Sequence, residues 1–256
     1  MMEDGNSLSR RKVIVSAGAG VGTGLLAQLA PQPAMAQDPA AKHPAPAKPW
    51  SREYWARKGD VALYVFRKRR TAPRKGDAPL PVLFLVHGSS ISSRPSFDLT
   101  VPGRGEYSVM NVFAEYGFDV WTMDHENYGR SSRTEGNSDI ASGVEDLKVA
   151  LELVASETGK QKLHLFGESS GALRAAAYAM AKPERVDRLV LSAFTYKGEG
   201  SPTLAKRAEA VDYYRSHNRR LRDRDMIRSI FTRDKPGTSD PTIGEFLADQ
   251  ELKFGD

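Results

Sequence analysis

The sequence predicts an α/β fold in which a doubly wound, mostly parallel sheet carries helices on both faces. Three features lead to this prediction: short apolar runs, amphipathic segments between them, and glycines that close those segments. Their order is β-α-β-α-β-α-β, and right-handed crossovers place each connecting helix over one face of the sheet. In such folds ligands bind beyond the carboxyl ends of the strands, so the residues that follow each strand are the candidates for function.

Apolar runs mark the predicted strands, and glycines mark the ends of the predicted helices. Five consecutive apolar residues at Val82–Val86 are typical of a strand buried on both faces of a parallel sheet. Ser138 or Asp139 can cap a helix that ends at Gly159, because the apolar residues between them recur at helical spacing. The strands are predicted at 61–66, 82–86, 118–123, 162–166 and 188–193, and the other helices at 107–116 and 172–181.

The character of the sequence changes after Phe194. Residues 203–224 are charged and helical, 226–231 carry a small apolar patch, and 243–254 have the pattern of one more amphipathic helix. A helical excursion after a late strand is the usual form of a cap over an active site. We therefore predict a core domain at 50–195 and a helical cap segment at 196–256.

The composition is that of an ordinary globular protein, with 40% hydrophobic and 27% charged residues among 256. The chain has no cysteine, which excludes disulfides, thiolate metal sites and a cysteine nucleophile. Its net charge of +5 is modest, and its basic residues are mixed with apolar or acidic ones, so we expect no nucleic-acid partner. The five histidines are scattered without metal-ligand spacing, and we expect neither a metal nor another cofactor.

The first 36 residues are predicted to be an export signal. Arg10 and Arg11 precede an apolar stretch at 13–30, and a small-x-small pattern ends at Ala36; together they resemble a twin-arginine signal peptide. We expect cleavage after Ala36, the twin-arginine translocation machinery as a partner, and a periplasmic or secreted protein. The stretch is rich in glycine and alanine, which disfavours a stable transmembrane anchor; an uncleaved anchor or a basic tail is the alternative. A Pro/Ala-rich linker is predicted at 37–49.

The strongest functional motif lies where the strand at 162–166 ends. Gly167, Ser169 and Gly171 form a GxSxG pattern between that strand and a helix, which is the order that a nucleophile elbow requires. A sharp turn lifts the serine Oγ clear of the sheet, and the flanking glycines let strand and helix approach each other. Only Ser169 has glycine two residues before and two after it, so it is the predicted nucleophile in preference to Ser170. A serine-glycine turn before an ordinary helix is the alternative.

Two backbone N–H groups are the candidate oxyanion donors. The N–H of Ser170 stands at the start of a helix, whose dipole favours negative charge. The second donor is expected in the loop after the strand at 82–86, where Gly88 lets the loop pass close to substrate and Ser89 offers its N–H. His87 is interpreted as a support of this loop rather than as a base.

With these residues identified, the chain from 60 to 195 resembles the α/β-hydrolase superfamily. A third match follows the next predicted strand, where residues 124–132, DHENYGRSS, resemble in part the DxxGxGxS turn of the family and are most similar to its DHxxxGxS form in lysophospholipase-like and esterase-like members. Asp124 and His125 are expected to stabilise this turn. His164, inside a predicted strand, is interpreted as a core histidine.

The resemblance implies a catalytic triad in the order serine, acid, histidine. After Ser169 the sequence contains one histidine, His217, which lies in a highly charged helical segment. Asp212 and Glu199 have the right order, but neither follows a strand, so the catalytic acid and histidine stay unassigned. We expect that the chain ends within the cap, at Asp256, before the final strands that would carry both partners.

The leading hypothesis is an exported serine hydrolase that acts on a small carboxylic ester through an acyl-enzyme on Ser169. A serine hydroxyl without its base is a weak nucleophile, so this form is expected to be weak or inactive. Serine at the elbow argues against epoxide hydrolases and dehalogenases, which use aspartate there. Acyl transfer and carbon–carbon bond hydrolysis on the same fold stay open, as does a noncatalytic exported binding protein.

Overall fold

The computed structural model describes residues 48–195, 198–232, 237 and 239–254. The predicted signal peptide and the part of the predicted linker before residue 48 lie outside these residues. Within the described part, six strands form one sheet in the order β1-β2-β4-β3-β5-β6. The strands are β1 (Trp50–Lys58), β2 (Val61–Arg69), β3 (Val82–Val86), β4 (Asp119–Met123), β5 (Leu163–Glu168) and β6 (Val186–Ser192).

The sheet is mostly parallel, as predicted. Strands β4, β3, β5 and β6 pair in parallel, while β1 and β2 add an antiparallel hairpin at one edge. Helices connect the parallel strands, which is the connection that parallel neighbours require. They are α1 (Ser93–Phe97), α2 (Val109–Glu115), α3 (Ile140–Thr158) and α4 (Ser170–Ala181), followed beyond β6 by α5 (Pro202–Ala208), α6 (Val211–Ser216), α7 (Arg224–Thr232) and α8 (Pro241–Phe254).

Helices cover both faces of the sheet, and β3 contributes side chains to each. Val82, Phe84 and Val86 belong to the apolar cluster that includes α3 and α4. Leu83 and Leu85 point the other way, into the cluster that includes α1 and α2. All five residues are buried, which is the pattern expected of an interior strand and confirms the doubly wound arrangement.

The core strands and helices were predicted correctly, but β1 and α1 were not predicted. In β1 only Tyr54 and Ala56 are buried, and the charged residues between Trp50 and Lys58 hide the alternation expected of a strand. This strand is stabilised by its pairing with β2, from Trp50 opposite Arg69 to Lys58 opposite Val61. The pairing is a tertiary feature, so the local pattern does not reveal it.

The prediction of a helical stretch over 203–224 was correct only in part. The segment forms the two short helices α5 and α6 and leaves the helical conformation at His217, whose backbone is extended. Asn218 donates from Nδ2 to the carbonyl oxygen of Thr134 at 2.6 Å, which ties the chain to a loop of the core. A contact with the core therefore replaces the continuation of the helix.

Helices α7 and α8 pack together over the chain that follows β3. Their apolar side chains form a third cluster with residues of the 91–101 segment; its buried members are Ile91, Leu99, Val101, Ile227, Ile243, Leu247 and Ala248. Of the helices that the structure describes, none has the length and apolar character needed to cross a bilayer.

His164 is not a core residue, contrary to the prediction. Its side chain on β5 is 21% exposed, and its Nδ1 lies 3.3 Å from the carboxylate of Asp187 on β6. Strand β6 is the last strand of the described sheet, and most of its residues are exposed. The side chain of His164 lies beside this exposed strand, and it is therefore partly accessible to solvent.

Candidate active site

The predicted nucleophile lies on a strained turn between β5 and α4. Ser169 has φ of 56° and ψ of −123°, a backbone conformation that residues with a side chain rarely adopt. Its N–H donates to the carbonyl oxygen of Ser192 at the end of β6, at 2.9 Å. Strain of this kind costs about 1–3 kcal/mol and is concentrated at functional sites. The backbone thus has the geometry that the GxSxG motif predicts.

The two glycines of the motif stand where strand and helix touch. A Cβ on Gly167 would lie 2.5 Å from the carbonyl oxygen of Gly171 and 2.6 Å from the Cα of Ala172. A Cβ on Gly171 would lie 2.5 Å from the carbonyl oxygen of His87. Contacts this short are repulsive, so both positions require glycine for α4 to sit against the ends of β5 and β3.

The loop after β3 lies against Ser169. A Cβ built on Gly88 would be 3.0 Å from the Cβ of Ser169 and 3.5 Å from its Oγ. Ser89, the candidate oxyanion donor, therefore directly follows a residue in contact with the serine, while Ser170 directly follows the serine itself. The structure brings the predicted nucleophile and the residues of both predicted donors into one place.

The side chain of Ser170 does not share the setting of Ser169. Ser170 is buried at the first position of α4, and within the described residues its Oγ has no hydrogen-bond partner. Ser169 is half-buried. Of the two neighbouring hydroxyls, the one on the turn is the more accessible, which agrees with the choice made from the spacing of the motif.

His87 has the contacts of a residue that supports the loop. Its ring is fully buried, with Nδ1 2.7 Å from the carbonyl oxygen of Gly88 and Nε2 3.1 Å from the backbone N–H of His125. These partners require Nδ1 to carry the proton and Nε2 to accept. Burial, followed by the charges of His125 and Arg174, holds the pKa of His87 well below its usual range. A neutral imidazole with both nitrogens engaged shapes the loop.

Asp124 organises the turn after β4. Its carboxylate accepts hydrogen bonds from the N–H of Ser93 at 2.8 Å, the Oγ of Ser93 at 2.6 Å and the N–H of Arg130 at 2.9 Å. Burial raises the pKa of Asp124 above its usual value, although these bonds act in the opposite direction. The contacts fit the expected turn-stabilising role and tie the turn to the start of α1.

His125 forms a buried polar network with α3 and β1. Its Nδ1 lies 3.1 Å from Asp146 Oδ2, and Lys58 forms ion pairs with both Asp146 and Glu126. Burial and the nearby charge of Arg174 lower the pKa of His125 to about 4, so the ring is neutral near pH 7. Burial alone would raise the pKa of Asp146, but hydrogen bonds from His125 and Lys58 outweigh it and lower that pKa. Sequence reasoning did not identify Asp146 or Lys58.

Arg174 is a second residue that the sequence did not reveal. It is 2% exposed, donates from Nη2 to the carbonyl oxygen of Ser138 at 2.6 Å, and lies 5.8 Å from the ring centroid of Tyr128. In the described part of the chain its Nε and Nη1 have no partner. The available signal was that Arg174 is the one charged residue of the alanine-rich α4.

Among the described residues, the contacts of His217 are with Tyr213 and Ser216 and not with Ser169. Its ring is exposed and stacks on Tyr213, with centroids 4.3 Å apart, and its Nδ1 lies 3.1 Å from the carbonyl oxygen of Tyr213. Asp212 pairs with Arg215 on the exposed surface of α6. Among the residues that the structure describes, none forms a hydrogen bond with the Oγ of Ser169.

No described region has the features of a metal site, since no three His, Asp or Glu side chains are placed to share an ion there. An open cavity of about 460 Å³ is lined by α6 and the chain after it, including Tyr213 and His217, and by Glu135 and Asn137 of the loop before α3. Ser169 does not line it. The cavity therefore does not mark the chemistry of the elbow.

Comparison with protein families gives a match over the central part of the chain. A family model described as Serine aminopeptidase, S33 matches residues 100–235, which is more than half of the 256 residues. The matched range contains the turn after β4, Ser169 and most of the cap. Gly88 and Ser89 precede it.

Among curated proteins, a 2-hydroxy-6-oxononadienedioate/2-hydroxy-6-oxononatrienedioate hydrolase of Paraburkholderia phymatum is 32% identical over 132 residues. The match covers 47% of this chain and 38% of that relative. The chain thus spans well under two thirds of the length of the relative.

Solved structures share the fold. A hydrolase from Pseudomonas aeruginosa aligns with a TM-score of 0.53, and a thioesterase domain from the curacin biosynthetic pathway with 0.52, both at 20% identity. The alignments cover 78% and 79% of this chain and 66% of each solved chain. At this identity the likeness establishes the fold alone.

Proposed function

The chain belongs to the serine aminopeptidase family of α/β-hydrolases, and we propose that it cleaves carboxylic esters through an acyl-enzyme on Ser169. One observation carries this proposal: Ser169 sits at positive φ on a strand-to-helix turn, and the loop after β3 is in contact with it. This is the arrangement that presents a serine hydroxyl beside two backbone N–H groups. The substrate is a small molecule with an ester-type carbonyl.

In the proposed reaction the Ser169 Oγ forms a bond to the carbonyl carbon while its proton passes to a base. The carbonyl π electrons move onto oxygen, and the N–H groups of Ser89 and Ser170 stabilise the resulting charge. Collapse of this intermediate breaks the carbon–oxygen bond, and the alcohol leaves with a proton. Water then hydrolyses the acyl-serine by the same steps.

The general base is the group of this mechanism that has no assigned residue. His87 and His125 are neutral but buried, each with Nδ1 held by a neighbouring group, and His217 stacks on the cap surface. Among the described residues none is hydrogen-bonded to the Ser169 Oγ, and a serine hydroxyl without a positioned base is a weak nucleophile. We propose slow turnover for this chain, with residual rate supplied by the oxyanion donors.

The test of Ser169 is covalent labelling by a fluorophosphonate probe, followed over hours by mass spectrometry. Slow labelling is expected for the unmodified chain, and none at residue 169 in Ser169→Ala. The matched control is Ser170→Ala, which removes a buried, unpaired hydroxyl but keeps the backbone N–H; its labelling should resemble that of the unmodified chain. Labelling that persists in Ser169→Ala would rule out the assignment of the nucleophile.

Carbon–carbon bond hydrolysis is the second candidate, because the matching curated relative is named for a hydroxy-oxo-dienedioate substrate. Both reactions use the same nucleophile and donors and differ in the leaving group. Parallel assays with a p-nitrophenyl ester and a hydroxy-oxo-dienedioate distinguish them. Faster cleavage of the dienedioate, lost in Ser169→Ala, would replace the ester proposal.

We also propose that the protein is exported through the twin-arginine route, from the motif at Arg10 and Arg11. Cell fractionation tests this with Arg10→Lys and Arg11→Lys combined, which keeps the charge but changes the motif. Retention of this double variant in the cytoplasm is expected, and equal export of both forms would exclude the proposal.

A further inference from the structure

The helical segment after β6 is bonded to the loop that follows β3, here called the oxyanion loop and defined as residues 88–92. Glu251 on α8 accepts hydrogen bonds from the N–H of Ser92 at 3.0 Å and from its Oγ at 2.8 Å. Arg222, between α6 and α7, donates to the carbonyl oxygen of Ser89. Two residues more than 130 positions away in sequence thus hold two points of this loop.

These contacts are not exposed surface pairs. Ser92 is fully buried, and Arg222 and Glu251 are half-buried. Burial raises the pKa of Glu251, and the charge of Asp124 adds to this effect. The apolar cluster of α7 and α8 with the 91–101 segment includes Ile91 and Leu247, neighbours in sequence of these polar residues. Hydrogen bonds to a charged group in such a setting are stronger than those on an open surface.

The oxyanion loop is also held from the side of the sheet. Asp124 binds the N–H and Oγ of Ser93, the residue next to Ser92. The Oη of Tyr128 donates to the carbonyl oxygen of Ser89 at 3.4 Å, and Arg222 donates to the same oxygen. Two carboxylates from different parts of the chain therefore bind neighbouring residues: Glu251 on α8 binds Ser92, and Asp124 after β4 binds Ser93.

We infer that Glu251 and Arg222 are positioning residues for the oxyanion loop. Gly88 is in contact with Ser169 at one end of the loop. Arg222 binds the carbonyl oxygen of Ser89, and Glu251 binds Ser92 further along. The N–H of Ser89 therefore lies between the contact with Ser169 and these two contacts. The cap helices are in this respect part of the active-site framework and not a separate lid. The inference rests on the proposed function for its catalytic meaning, since the N–H of Ser89 matters only if an oxyanion forms.

The test compares labelling of Ser169 by a fluorophosphonate in four forms of the chain: unmodified, Glu251→Ala, Glu251→Gln and Glu245→Ala. Glu245 is the matched control, because it lies on the same helix but pairs with Arg224 and Arg228 on the exposed side. Loss of the Glu251 contacts should lower the maximal labelling rate by about tenfold or more, since a misplacement of about 1 Å can cost about a hundredfold. The half-saturating probe concentration should change little.

Glu251→Gln should restore most of the rate, because its amide oxygen can still accept from the N–H of Ser92, and Glu245→Ala should label like the unmodified chain. Amide hydrogen exchange of the peptides covering 86–93 gives an independent reading. Exchange in these peptides should rise in Glu251→Ala and stay unchanged in Glu245→Ala. If Glu251→Ala does not fold, as judged from its unfolding transition, Arg222→Ala takes its place with the same expectation.

Labelling of Glu251→Ala at the unmodified rate, or unchanged exchange in the 86–93 peptides, would overturn the inference. A loss that Glu251→Gln does not relieve would also count against it, since the charge and not the acceptor geometry would then be responsible. Failure of the proposed function would give a different result, because Ser169→Ala would then still be labelled by the fluorophosphonate. Amide hydrogen exchange of the 86–93 peptides would in that case still show whether Glu251 holds the loop.

Discussion

At Ser169 the backbone conformation matters as much as the hydroxyl. A positive φ is accepted there because Gly167 and Gly171 let strand and helix come within contact distance. The neighbouring Ser170 has the same side chain in a regular helical position, buried and unpaired. Two identical residues therefore differ in backbone conformation and burial because of their place in one turn.

Gly171→Ala tests the steric account of the elbow. The added Cβ would meet the carbonyl oxygens of Val86 and His87, and overpacking of this kind costs about 1–3 kcal/mol. A lower free energy of unfolding in urea, together with slower labelling of Ser169, is expected.

Gly244→Ala on α8 is the matched control for this substitution. There the new Cβ would lie 3.6 Å from the nearest atoms of Arg228, an ordinary contact. Alanine in place of a helical glycine should stabilise the protein by up to about 1 kcal/mol. Equal effects of the two substitutions would contradict the steric explanation.

Helix α3 shows how one element serves both stability and the site. Its N-cap Asp139 accepts from the N–H of Ser142 at 2.7 Å, and Gly159 closes it in a left-handed conformation with φ of 71°. Between these ends, Val144 and Leu147 pack on the sheet, while Asp146 holds the ring of His125. The two caps define where α3 begins and ends, and Asp146 between them contacts His125 in the turn after β4.

Asp139→Ala should lower the free energy of unfolding by about 0.5–2 kcal/mol, because it removes the cap of a 19-residue helix. Denaturant unfolding followed by circular dichroism measures this change. Asp139→Asn keeps an acceptor at the cap and should cost much less. If both variants lost the same amount, the charge of Asp139 rather than the hydrogen bond would be the source of the stability.

Across the whole molecule, buried neutral histidines make stability depend on pH. The folded-state pKa of His125 is about 4, below the unfolded value near 6.5, so the unfolded chain binds more protons between these values. The contribution of His125 to the free energy of unfolding therefore falls as pH decreases from about 6.5 towards 4. His87 acts in the same direction, whereas the raised pKa values of Asp124 and Glu251 act in the opposite direction.

Comparison with His125→Asn isolates the contribution of that ring. Between pH 6.5 and 5, one such histidine lowers the free energy of unfolding by about 1.5 kcal/mol. The dependence on pH should be shallower by about this amount in His125→Asn, measured by urea unfolding at several pH values. An unchanged slope in His125→Asn would mean that its ring is not the group that titrates.

The sequence alone determined the doubly wound sheet and the sharp strand-to-helix turn at Ser169, because local residue patterns specify both. Five buried residues in a row define β3, and glycines at 167 and 171 fit the turn between β5 and α4. Tertiary structure decided what local patterns cannot contain. The charged strand β1 exists through its pairing with β2, and Glu251 reaches Ser92 across 159 positions because α8 packs on the chain after β3. Such contacts depend on where separate elements cross, which no short stretch of sequence specifies.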